Sequence, residues 1–163
     1  MSFLVYDFIP PNSEGDFNFV QKCLNVRDFI LNISEEIDTH SDMLIIRHNK
    51  KSYIGIFIPS IHIISDMKHS RPIIYLLKAY RIHSSISLCK IVKYLFENEE
   101  VDRIFIQVFS HNTMMLNCMK NLGIAYRGSI DDIRKIESNS FVSINFYDID
   151  YKKYQELESD FSD

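Results

Sequence analysis

The chain has 163 residues, of which 46% are hydrophobic and 25% charged, with a formal net charge of −4. That length predicts one domain over residues 1–158 with a sizeable core, followed by a flexible acidic tail at 159–163. The mild acidity argues against a broad basic face and against nucleic acid as a partner, and no apolar run reaches the ~18 residues of a membrane helix.

In chain order, residues 3–9 form a strand-like run that stops at Pro10-Pro11. Turn-formers occupy 12–15, and Asp16 is placed to cap a helix whose apolar positions are Val20, Cys23, Leu24, Ile30 and Leu31. A polar stretch, 34–42, leads to a short apolar strand at 43–47 and a turn at 48–51. Residues 53–64 are β-branched and aromatic, with Pro59 marking a break or bulge. A polar loop is expected at 66–72, then a strand at 73–80.

The period then changes. Leu88, Ile91, Val92, Leu95 and Phe96 recur at helical spacing, and acidic residues at 97–100 close that helix. Residues 103–109 read as a strand. Asn112 caps a helix carrying Met115, Leu116, Met119 and Leu122, and Gly123 stands at its C′ position. Two strands, 124–130 and 141–147, flank a polar connector at 131–140, and a terminal helical turn covers 151–158. Cys23, Cys89 and Cys118 are widely spaced and form no metal-binding pattern, so they read as buried free thiols in a reducing, cytoplasmic setting.

Three local patterns stand out. Tyr80-Arg81-Ile82-His83-Ser84-Ser85-Ile86 lies where a strand gives way to a helix. Strand 104–108 is followed by Asn112 and, eleven positions later, by Gly123. The chain closes with two strands and Asp150-Tyr151-Lys152-Lys153-Tyr154. Together with the element order, these resemble the GNAT (GCN5-related) N-acyltransferases, a mixed α/β fold with a central twisted sheet flanked by helices.

The resemblance implies acetyl-CoA as cofactor, its phosphates held by backbone amides at a helix N-terminus. The implied contacts are Leu77, Lys78, Ala79, Arg81, His83, Ser84, Ser85, Ile86, Ser87 and Asn112. Coenzyme A would lie between strands 73–80 and 103–109, with an oxyanion donor at the Leu77 or Lys78 amide. Two departures are plain. Ser84 and Ile86 replace the family's phosphate-loop glycines, and Met119 stands where many members carry a proton-donating tyrosine.

Acyl transfer to an amine needs a base and a hydroxyl or amide near the reacting carbonyl. His62 and Asp66 are candidate bases, with His69 nearby, and Tyr75 offers a hydroxyl. Each has a structural reading: His62 as a satisfied structural histidine in an apolar strand, Asp66 and His69 as solvated loop residues, Ser84 or Ser85 and Asn112 as helix caps. His83 beside Ser84-Ser85 lacks the elbow and third group of a hydrolase triad. The acceptor implied is an amine of a protein or small molecule. The alternative is an inactive GNAT-like module working through protein contacts or self-association. Its Ile-, Asn- and Lys-rich composition suits an AT-rich source such as a phage, where it would be virion-associated.

Overall fold

A computed structural model describes residues 6–25, 42–135 and 141–161. Predictions on residues 3–5, on Ile30 and Leu31, on most of 34–42, on 136–140 and on the last two residues lie outside these. The described chain groups into two compact units, Met1–Ser60 with Pro72–Ile82, and Ile61–Arg71 with His83–Asp163.

The first unit is an antiparallel sheet in the order β1 (Tyr6–Ile9), β2 (Leu44–His48), β3 (Ser52–Ile58), β6 (Ile73–Leu76), with helix α1 (Glu14–Leu24). Val20 and Cys23 of α1 pack with Met43, Ile45, Ile56, Ile58 and Tyr75, all buried. The start of α1 corrects the sequence reading. Ser13, not Asp16, is the N-cap, and Asp16 is the reciprocal member of a capping box. Asp16 Oδ2 accepts from the Asn12 and Ser13 amides, both at 3.1 Å, while its own amide donates to Ser13 Oγ at 3.1 Å. The Tyr53 hydroxyl donates to Oδ1 and joins the buried carboxylate to β3.

The second unit carries a sheet ordered β4 (Ile61–Ile64), β5 (Met67–Ser70), β7 (Arg103–Phe109), β9 (Phe141–Asp150), β8 (Ala125–Lys135). Among the described residues only β5 and β7 run parallel in it. Along β7, Ile104, Ile106 and Val108 are buried while Arg103 and Phe105 are half-buried and Gln107 exposed, the alternation of a one-sided core. Helices α2 (Ser84–Glu97), α3 (Thr113–Asn121) and α4 (Tyr151–Phe161) complete the unit. The Phe96 and Tyr154 rings of α2 and α4 stack at 4.9 Å, and Tyr154 donates to Glu97 at 2.8 Å.

Six element predictions change, two of them because the strands expected at 124–130 and 141–147 run on to Lys135 and Asp150. The expected strand over 53–64 stops at Ile58, and the chain leaves the first sheet at Pro59-Ser60 to enter the second as β4. The expected loop at 66–72 contains β5, which closes a hairpin with β4 through Ser65 (φ 50°) and Asp66 (φ 63°). The strand expected over 73–80 ends at Leu76 and gives way to a 3₁₀ helix, Lys78–His83. Finally, α4 continues through Ser159 to Phe161, where a frayed tail was expected.

Candidate functional site

The first unit holds the strand-end portion of the predicted site. β6 pairs with β3 from Gly55↔Leu76 to Ile58↔Ile73. Gly55 is required there, because a Cβ at that position would sit 2.1 Å from the Tyr75 carbonyl oxygen. The pairing runs one step past the strand: the Leu77 amide donates to the Ile54 carbonyl at 2.8 Å. Of the two amides expected at the oxyanion position, Leu77's is thus committed to the sheet. The chain then turns into the 3₁₀ helix, where Lys78 and Ala79 are exposed. Arg81 is half-buried and its Nε approaches the Leu76 carbonyl at 3.4 Å. Tyr75 lies inside the core cluster with Val20 and Ile56.

The second unit holds the helix-end portion. His83 occupies the N-cap of α2 with φ −95° and ψ 18°, and makes no side-chain cap bond. Ser84 and Ser87 follow in the first turn and are buried, whereas Ser85 and Ile86 are half-buried. No hydrogen-bond partner for Ser87 Oγ appears among the described residues. Ser84 Oγ lies 3.7 Å from Met114 Sδ, and Ser85 Oγ 3.3 Å from Cys118 Sγ. These contacts seat the first turn of α2 on α3, the helix that Asn112 caps by accepting from the Met115 amide at 3.2 Å. Burial pushes the Cys118 thiol up, while the Ser85 hydroxyl acts the other way. The thiol therefore stays protonated at neutral pH. Sequence reasoning missed Met114 and Cys118 as neighbours of this turn. The signal was their i,i+4 spacing, which places them on one face of α3.

The α3 terminus is fully specified by sequence. Gly123 has φ 61°, its amide donates to the Lys120 carbonyl at 3.1 Å, and the Ile124 amide donates to Met119 at 3.0 Å. That pair of bonds is a Schellman motif. Met119 itself is fully buried.

β7 has a further property. Its register with β5 covers only His69↔Arg103 and Ser70↔Ile104, while β9 pairs with it as far as Phe109. On the β5 side, no strand of this unit pairs with β7 beyond Ile104 among the described residues.

His62 and Asp66 lie in the β4–β5 hairpin. Both are exposed, His62 although its strand neighbours are apolar in sequence. The buried histidine there is His69, directly across the ladder from His62, whose ring lies 5.4 Å from Phe105. The structure thus gathers His83, Ser84, Ser85, Ile86, Ser87 and the Asn112-capped helix in the second unit. Leu77, Lys78, Ala79, Arg81 and Tyr75 fall in the first.

The sequence matches no protein-family model and no curated protein. Solved structures do resemble the fold. The spermidine N-acetyltransferase of Vibrio cholerae in complex with CoA and spermine superposes with a TM-score of 0.72 at 14% identity, over 92% of this chain and 98% of that one. A chimera of the Vibrio cholerae enzyme SpeG with hSSAT gives 0.71 at 13% identity, over 93% and 98%. A SpeG point mutant gives 0.71 at 15%, over 95% and 98%. At this identity the likeness establishes the fold: the chain has the mixed α/β architecture of the GNAT N-acetyltransferases.

Proposed function

We propose, from the premise of that fold, that the protein is an acyl-CoA-dependent N-acyltransferase that moves an acetyl group from acetyl-CoA to an amine. The observation that carries the reading is the first turn of α2. It has no side-chain cap, two buried serines, and a buried Ser87 hydroxyl without a partner among the described residues. A helix N-terminus of this kind favours a phosphate through its dipole and its amides. Ile86 replaces a glycine there, and its side chain is half-buried. These features fit coenzyme A. The neighbour solved with CoA and spermine lends support to both the cofactor and an amine acceptor.

Bound acetyl-CoA supplies an activated thioester acyl group, which an unprotonated amine accepts in exchange for the thiol. This chain's residues have three tasks around that chemistry. His83 to Ser87 hold the phosphates, assisted by the Arg81 guanidinium, which pairs with phosphate oxygens in a planar fork. Asn112 fixes the start of α3. His62, Asp66 and Tyr75 are the proposed proton-handling groups. Of these, His62 and Asp66 are open to water and Tyr75 is buried.

A second reading, a GNAT-fold binding module without catalysis, draws on two observations. The Leu77 amide is spent on Ile54, and the buried Met119 offers no proton where a tyrosine is common in the fold.

Calorimetry separates the two. Under the first reading CoA and acetyl-CoA both bind, and Arg81→Ala weakens each by ~1.5–3 kcal/mol, the range for a hydrogen bond to a charged group. Absence of binding at millimolar ligand removes the enzyme reading, and an unchanged affinity in Arg81→Ala removes the assignment of Arg81.

A further inference from the structure

Three sulfur-bearing side chains lie where α3 meets the start of α2. Met114 and Cys118 stand one turn apart on α3, and Cys118 Sγ is 3.3 Å from Ser85 Oγ. Cys89 stands one turn beyond Ser85 on α2. The three differ in what an oxidant can do with them. Cys89 and Cys118 are buried, and burial pushes the Cys89 thiol up to about 12 and raises that of Cys118. A thiol reacts with a peroxide as its thiolate, so neither is reactive at neutral pH. Met114 is 37% exposed, and a thioether needs no deprotonation to react.

The Met114 sulfur also sits where a change in its polarity has an effect. It accepts a 3.7 Å hydrogen bond from Ser84 Oγ, on the first residue of α2. A thioether is a weak acceptor, whereas the S–O bond of a sulfoxide is strongly polar. The amides that open α2 have no acceptor within that helix and carry the positive end of its dipole. His83 supplies no side-chain cap, and the buried Ser87 hydroxyl of the same turn has no partner among the described residues.

We propose that Met114 is a site of reversible oxidation by hydroperoxides, and that its sulfoxide oxygen caps the first turn of α2. The sulfur lone pair attacks the terminal peroxide oxygen and the O–O bond breaks. The other oxygen leaves with the bonding pair and takes the proton of the transferred one, as water or an alcohol. Sulfur is oxidised and the peroxide reduced by the same two electrons, and a methionine sulfoxide reductase reverses the change. The new oxygen accepts from the Ser84 hydroxyl and from the amides beside it, where an anion would otherwise bind. The consequence for coenzyme A rests on the acyltransferase reading, whereas the oxidation and the cap do not.

Brief treatment of the full chain with hydrogen peroxide tests it, read by peptide mass mapping and amide hydrogen exchange. Met114 and the exposed Met67 should each gain an oxygen. The Ser85 and Ile86 amides should then exchange more slowly. CoA affinity, measured by calorimetry, should fall about tenfold or more on oxidation. Met114→Leu keeps an apolar side chain of similar volume without the sulfur, and should hold its exchange rates and CoA affinity under peroxide. Met67→Leu should behave as the unsubstituted chain does. A Met114 that stays reduced overturns the proposal, as do Ser85 and Ile86 amides that exchange equally fast or faster after oxidation. So does a loss of affinity that Met114→Leu shares. A reduced chain that binds no CoA overturns the acyltransferase reading instead, and the amide exchange still decides the cap.

Discussion

Gly55 shows how little room a single residue has in the first unit. A methyl group there would meet the Tyr75 carbonyl at 2.1 Å and Leu76 Cδ2 at 3.0 Å. The obstruction is backbone, which no rotamer change relieves. Gly55→Ala should therefore cost about 3 kcal/mol, the upper end for overpacking, read as a lower urea midpoint at unchanged slope. Asp16 carries a different constraint. The Tyr53 hydroxyl, and then the Asn12 amide, hold its carboxyl below its ordinary value of 3.8. A carboxyl lowered in the folded state adds stability above its unfolded pKa, and that stability is lost as pH falls through the folded value. Tyr53→Phe removes the leading cause, so the carboxyl rises toward 3.8 and the acid-unfolding midpoint moves to higher pH. Far-UV circular dichroism between about pH 5 and 2 reads this directly. An unmoved midpoint would mean the amides alone set the pKa.

At the scale of elements, one carboxylate ties three strands. Asp148 on β9 is buried, and accepts from Arg103 of β7 at 2.8 Å on each oxygen and from Arg127 of β8 at 3.0 and 2.9 Å. Both guanidiniums reach solvent, at 35% and 54% side-chain exposure, so the pairs rank between buried and surface ion pairs. Asp148→Asn should lower stability by about 2 kcal/mol, between the few of a broken buried pair and the one or less of a surface pair. Hydrogen exchange should loosen first along the β7–β9 and β8–β9 ladders. Much of the helical detail was legible beforehand. Asn112 and Gly123 bracket α3 by rules that operate within a few residues. The cap of α1 was misread although its signal, Ser13 three residues before Asp16, is local. A capping box names both residues, and the reading took the acid as the cap.

At the scale of the whole molecule, the fold was legible and the division of the site was not. The alternation of strand and helix periods, with Asn112 and Gly123 at their spacing, led to the GNAT architecture that the solved neighbours bear out. The proposed contacts of the cofactor, by contrast, fall on both sides of a boundary between Ile82 and His83. No short-range pattern marks that boundary, because a 3₁₀ helix and an α-helix follow each other across it without a break. The same holds for residues 66–72. They read as loop because Asp66, Lys68, Ser70 and Arg71 are polar, yet Met67–Ser70 form β5. Strand content there depends on pairing with β4 and β7, and β7 is more than thirty residues away in sequence.

By itself, then, the order of residues determined the kind and sequence of most elements, the caps of α3 and the place where α2 begins. Those depend on neighbours within about one turn. Tertiary structure alone decided that the Leu77 amide is spent on Ile54, that His69 and not His62 is buried, and that residues 67–70 form a strand between β4 and β7. Each follows from which distant strand lies alongside, and the free energy of such pairing resides in no single segment.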